Sequence, residues 1–252
     1  MTLASHPKDR LILALDLPDP GRARDLARKL AEEVGLFKIG LELFVAGGPA
    51  FLREMAEEFP SRIFLDLKLH DIPNTVASVL RRLPPGVALT TVHAGLGPTG
   101  LRQIMAAGPA GVKILAVTVL TSLSSPDLAA LGYDPRLAEV PRELVVRQAR
   151  LAQAAGCHGV VCSGREVAAV KAALGPGFLA VCPGIRPAWA QVAADDQKRT
   201  LTPADALRHG ADYLVVGRPV SRAPDPVAAA RQVVQEIAQG LAAREAASPK
   251  CI

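Results

Sequence analysis

The stretch FLDLKLHDIPNT, residues 64–75, ends an apolar run that begins at Arg62 and sets Asp66, Lys68 and Asp71 close together where a buried strand would carry hydrophobes. Side chains on a strand alternate between two faces. Phe64, Asp66 and Lys68 therefore share one face, and Leu65 and Leu67 share the other. The leucines can pack on helices, which leaves Asp66 and Lys68 as successive residues of the opposite face, about 7 Å apart along the strand. Charges so placed need an open end rather than a core. The mouth formed by the C-terminal ends of parallel barrel strands is such a place.

Working outward, short runs rich in Val, Ile and Leu recur along the chain with helical patterns between most of them. Strands are predicted at 11–17, 36–40, 62–68, 88–94, 113–120, 159–163, 178–184 and 213–219, and helical patterns at 21–34, 50–59, 142–155, 165–174 and 226–244. Eight strand and helix units in about 250 residues predict a single-domain (β/α)8, or TIM, barrel. The domain is expected to span 1–252 with its core at about 10–240. A doubly wound open sheet is the structural rival, but ALDLPDPG at 14–21 lacks the glycine fingerprint that usually follows its first strand. The connection at 121–141 is longer than most loops and reads as a lid or an extra short helix.

Other polar residues fall at equivalent strand ends: Asp16 on the first, Lys38 on the second and His93 on the fourth. Lysine is scarce, eight residues against 21 arginines, and two of the eight end adjacent strands. A lysine beside an aspartate can be a satisfied structural ion pair, but such a convergence at one mouth favours a functional array. Asp71 lies past its strand end, with Pro73 marking the first turn of the next helix. It reads either as an N-cap or as a residue that reaches a neighbouring subunit. His93 reads equally as a ligand contact or as a buried, hydrogen-bonded histidine.

A second group follows strands seven and eight. CPGIRP at 182–187 and VGRPV at 216–220 each place an arginine directly or closely after a glycine. Glycine allows close backbone approach to an anion and arginine offers forked donors, at the barrel position that commonly holds phosphate. Gln197, on the connection between these strands, carries an amide that could close over such a group.

Composition excludes several classes. The net charge of +5 and pI near 9.2 come from scattered arginines with no basic tract or aromatic interleaving, which argues against nucleic acid and fits an anionic small substrate. Cysteines at 157, 162, 182 and 251 show neither zinc-site nor disulfide-framework spacing. No metal or cofactor motif is visible. MTLASHPKDR does not read as a signal peptide, no 18-residue apolar run occurs, and SPKCI is not a prenylation signal. A cytoplasmic protein without membrane contact is expected.

With these residues together, the chain resembles the bacterial-type orotidine 5'-phosphate decarboxylase family, the lyases of the last step of UMP and pyrimidine biosynthesis, from about residue 10 to about 235. The motif D-x-K-x-x-D-I-P-x-T, Asp66 to Thr75, is the most specific part; ALD, FKIG, VTVLTS, PGIRP and VGRPV follow the family's order. The resemblance implies a cofactor-free homodimer. Lys38, Asp66 and Lys68 would form the catalytic array, completed by the partner's Asp71. Asp16 would bind the ribose together with Thr75 of the partner, and Thr121 would contact the pyrimidine. Arg186, Gln197, Gly217 and Arg218 would hold the 5'-phosphate. Magnesium-dependent sugar-phosphate decarboxylases or aldolases of the same suprafamily are the nearest alternative. They resemble the chain in D-x-K-x-x-D but use an acidic metal ligand at the end of strand two, where this chain has Lys38. A catalytically silent phosphate-binding barrel is the alternative from another class.

Overall fold

The structure is a computed structural model that describes residues 6–190 and 199–247. Its strands are β1 (Leu11–Ala14), β2 (Leu36–Gly40), β3 (Ile63–Leu69), β4 (Val87–His93), β5 (Lys113–Val117), β6 (Gly159–Val161), β7 (Leu179–Cys182) and β8 (Tyr213–Val216). Each pairs in parallel with its sequence neighbours, and β1 pairs with β8 to close the barrel. The helices are α1 (Pro20–Lys29), α2 (Leu41–Glu58), α3 (Pro73–Leu80), α4 (Gly97–Ala106), α5 (Ser125–Ala130) and α6 (Pro135–Glu139), followed by α7 (Pro141–Ala154), α8 (Val167–Leu174), α9 (Pro203–Arg208), α10 (Arg218–Ser221) and α11 (Pro226–Ala247). The single-domain (β/α)8 barrel expected from the strand rhythm is the observed fold.

Strand alternation sorts the core into two layers. Ile12, Leu36, Phe64, Leu115, Val161 and Val215 fill the barrel interior. Leu13, Phe37, Leu65, Ile114, Val160 and Leu214 point the other way, into the layer that also takes in helix residues such as Met55 and Val233. Several helix starts are fixed by local chemistry. Asp19 accepts the Arg22 N–H ahead of Pro20 at the start of α1, and Thr202 accepts the Asp205 N–H ahead of Pro203 at the start of α9.

The observed elements differ from the expected ones mainly at the mouth. The runs read as strands to 17, 120, 163, 184 and 219 leave the ladder at Ala14, Val117, Val161, Cys182 and Val216. Their last residues build loops because the closed ladder gives out before the apolar pattern does, and Arg218 already opens the helical turn α10. Helix α2 begins nine residues before the expected 50–59 pattern; Gly48, at φ 65°, and Pro49 kink it, which hid its first half from periodicity. The connection at 121–141 contains two short helices, α5 and α6. Among the described residues no helix is long and apolar enough to cross a membrane.

The interior also depends on one small residue. Gly159 pairs with Leu115 on one side and Leu179 on the other, so two leucines of the same layer converge on it. A Cβ at this position would lie 2.4 Å from the Leu179 carbonyl oxygen. Backbone cannot yield as a side-chain tip can. Gly159→Ala is expected to destabilise the barrel by about 3 kcal/mol, at the upper end of overpacking, and urea denaturation measures it.

Candidate active site

The first three strands deliver a line of alternating charge. Asp16 continues the inward face of Ile12 and Ala14 just past β1, Lys38 follows Leu36 on β2, and Asp66 follows Phe64 on β3. The Lys38 ammonium lies 2.8 Å from Asp16 Oδ1 and 3.9 Å from Asp66 Oδ2. The Lys68 ammonium lies 2.8 Å from the same Asp66 oxygen. Lys38 and Asp66 are buried, whereas Lys68 is half-buried and Asp16 is open to the mouth. Burial of these charges is tolerable because each has an opposite neighbour within ion-pair reach.

Simple alternation does not carry Lys68 into this line. The β3–β4 register runs from Leu65↔Thr90 to Leu69↔Val92, so β3 spends two more residues than β4 over that interval. Inside this bulge Lys68 adopts φ 49°, a left-handed conformation rare for a residue with a side chain. Its displaced N–H donates to Thr91 Oγ1 at 2.9 Å, and that hydroxyl donates to Asp66 Oδ1 at 3.0 Å. Thr91 is fully buried, and sequence reading passed over it, because one threonine in a β-branched run looks like any other strand residue.

Phe64, Val117, Val161 and Val215 form an apolar floor beneath the charges, in a cavity of about 610 Å3. Thr121, Arg186, Gly217 and Arg218 line the same cavity as Lys38 and Lys68. The Arg186 segment is held by main-chain pairing: Arg186 N–H donates to the Leu201 carbonyl at 2.9 Å, and Leu201 N–H donates to Gly184 O at 3.3 Å. Arg222 also lines the cavity, four residues after Arg218 on the next helical turn, a spacing that could have identified it in the sequence.

Another unforeseen residue braces this wall from behind. Arg199 donates to Glu166 Oε1 at 2.7 Å and to the carbonyls of Val119 and Leu120, each at 3.0 Å. It thereby ties the loop bearing Thr121 to the segment after β7. Burial pushes the Glu166 carboxyl above its usual range, against the opposing pull of the Arg199 charge.

Other expected residues lie elsewhere. Asp71 and Thr75 are exposed and do not line the cavity of their own chain. Asp71 is not the α3 N-cap: that position is Ile72, and Asp71 Oδ1 takes the Ile72 N–H at 2.6 Å. His93 accepts the Gly95 N–H at 3.1 Å and stacks on His70 at 4.7 Å, which gives it a local structural bond at the strand end. Burial, then His70 and Lys68, holds its imidazole below the usual histidine range. Gln197 lies outside the described residues.

The model of the orotidine 5'-phosphate decarboxylase / HUMPS family matches residues 9–233. An orotidine 5'-phosphate decarboxylase of Anaeromyxobacter dehalogenans is 55% identical over 90% of this chain and 97% of its own. One from Moorella thermoacetica is 48% identical over 92% and 93%. The crystal structure of orotidine 5'-phosphate decarboxylase from Lactobacillus acidophilus superposes with a TM-score of 0.74 at 37% identity, covering 90% of this chain and 98% of that one. The chain belongs to the orotidine 5'-phosphate decarboxylase / HUMPS family.

Proposed function

We propose that the protein decarboxylates orotidine 5'-phosphate to UMP, the closing step of pyrimidine nucleotide synthesis. The observation that carries this reading is the line Asp16, Lys38, Asp66, Lys68, with neighbouring polar atoms 2.8 to 3.9 Å apart above an apolar floor. Loss of CO2 from C6 of the pyrimidine leaves an sp2 carbanion with no adjacent carbonyl to take up the electrons, so catalysis has to supply something like 20 kcal/mol. Fixed charge in a water-poor cavity is suited to that task.

In this mechanism the Lys68 ammonium lies beside the nascent carbanion and gives it a proton as the carbon–carbon bond breaks. Asp66 faces the departing carboxylate. Two like charges about 4 Å apart at an effective dielectric of 20 repel by roughly 4 kcal/mol, and this strain is relieved as CO2 leaves. The larger share falls to carbanion stabilisation, because only interactions stronger in the transition state raise turnover. Arg186, Arg218 and the Gly217 backbone hold the 5'-phosphate, a role that the family resemblance also gives Gln197. Asp16 takes the ribose hydroxyls and Thr121 the pyrimidine edge.

Lys38 separates this reading from the magnesium-dependent members of the same family. Its ammonium bridges Asp16 and Asp66, so a cation carried by the chain itself stands between the carboxylates that a metal would need. Gly40 gives that ammonium room: a Cβ there would come within 2.8 Å of Lys38 Nζ and 3.3 Å of Asp16 Oδ1.

Asp71 and Thr75 are proposed to complete the site of a second copy in a homodimer. Both are exposed, and Ile72 between them is 67% exposed. Leu41 and Val45, on the first turns of α2, are 55% and 81% exposed. Apolar side chains of this size left open at one end of a barrel favour cover by a partner.

Three outcomes are expected. Incubation with orotidine 5'-phosphate removes the orotate absorbance at an undiminished rate after exhaustive chelation with EDTA; strict magnesium dependence selects the other branch of the family, and UMP binding without turnover selects a silent barrel. Gly40→Ala keeps the fold by circular dichroism but lowers kcat by about 10- to 100-fold, since it displaces the Lys38 tip without touching backbone. Lys68→Ala and Asp71→Ala are each nearly inactive alone, and after reassociation at equal ratio recover roughly a quarter of wild-type activity, the fraction of intact sites in a random mixture of two-fold dimers. No recovery despite proven subunit exchange assigns Asp71 to its own chain.

A further inference from the structure

We infer that Thr91 is a positioning residue that sets the Asp66–Lys68 pair, an inference that rests on the decarboxylase reading above. Its hydroxyl does two things at once. It accepts the Lys68 N–H at 2.9 Å, in the interval of β3 that has slipped out of register with β4, and it donates its own proton to Asp66 Oδ1 at 3.0 Å.

The first bond holds backbone in a costly state. Lys68, at φ 49°, is one of two non-glycine residues with positive φ among the described residues. Such a conformation persists only where surrounding bonds over-determine it. The second bond decides how the carboxylate is used. With Oδ1 engaged by the hydroxyl, Oδ2 is the oxygen that meets both ammoniums, Lys68 at 2.8 Å and Lys38 at 3.9 Å. Without the hydroxyl the carboxylate can rotate about its terminal bond, and the Lys68 N–H loses its acceptor inside the barrel. Thr91 does not line the substrate cavity, so it acts through these two neighbours only.

Its loss should therefore appear in turnover rather than in binding, because the arginines proposed to grip the phosphate stand beyond β7 and β8 and not on β3 or β4. The neighbouring residue supplies an internal control. Thr90 is also fully buried, but its hydroxyl has no hydrogen-bond partner among the described residues. The isosteric change to valine removes a bonded hydroxyl at 91 and an unbonded one at 90.

The test compares purified Thr91→Val, Thr91→Ser and Thr90→Val with wild type by steady-state kinetics on orotidine 5'-phosphate, and by amide hydrogen exchange at Lys68. Thr91→Val is expected to lower kcat about 10- to 100-fold with KM changed less than about threefold, and to speed exchange at the Lys68 amide. Thr91→Ser should stay within about threefold of wild type, and Thr90→Val within about twofold. Thr91→Ala lacks the hydroxyl as well and carries the same comparison should valine not be accommodated. The inference is overturned by wild-type kcat or unchanged Lys68 exchange in Thr91→Val, by a serine variant as impaired as the valine one, or by an equal loss in Thr90→Val. Absence of turnover in wild type itself would instead overturn the decarboxylase reading, while the exchange measurement would still report on the bond to Lys68.

Discussion

The site depends on one carboxylate, Asp66, holding two ammonium groups at the end of a barrel. Its Oδ2 lies 2.8 Å from Lys68 and 3.9 Å from Lys38, and Lys38 is balanced on its other side by Asp16. Charges removed from water are costly unless paired, and deleting one member of such a line leaves an uncompensated charge over an apolar floor. The four charges also sum to zero, so that part of the cavity carries no net charge. Under the proposed function, the negative charge of the substrate is met by the arginines that line the same cavity.

Holding those charges requires the fold to depart from regularity where the chemistry is. A parallel ladder that ran on through β3 would leave Lys68 in ordinary extended backbone; instead a bulge and a left-handed residue re-aim it. Gly40 leaves space beside Lys38, and Thr91 satisfies the N–H that the bulge frees. The rest of the barrel supports these departures with two continuous apolar layers, and natural proteins commonly confine such violations to functional sites.

The arginine-bearing wall is built on other terms. Its residues stand on the segments just beyond β5, β7 and β8, with Arg218 already in α10, and such segments position side chains well only when tied down. Arg199 does this by bonding Glu166 and two carbonyls at the end of β5, while the main-chain pairing of Gly184, Arg186 and Leu201 fixes the loop after β7. A line of charge at the ends of β1, β2 and β3 thus shares one cavity with braced segments that follow β5, β7 and β8.

The barrel was legible in the sequence because eight apolar runs with helical spacing between most of them have few other ways to bury both faces of each strand. The strand ends bearing Asp16, Lys38 and Asp66 were legible for a related reason, since alternation fixes which face a residue takes without knowledge of its neighbours. The kinked start of α2 and the early ends of five strands were not, because Gly48 with Pro49 breaks the helical period and ladder length is set by the adjacent strand. Thr91, Arg199 and the conformation of Lys68 were hidden for the same reason: each is defined by a bond to a residue more than twenty positions away, or by a register slip between two strands. Local periodicity determines faces and element types, whereas only the closed barrel decides which hydroxyl meets which carboxylate.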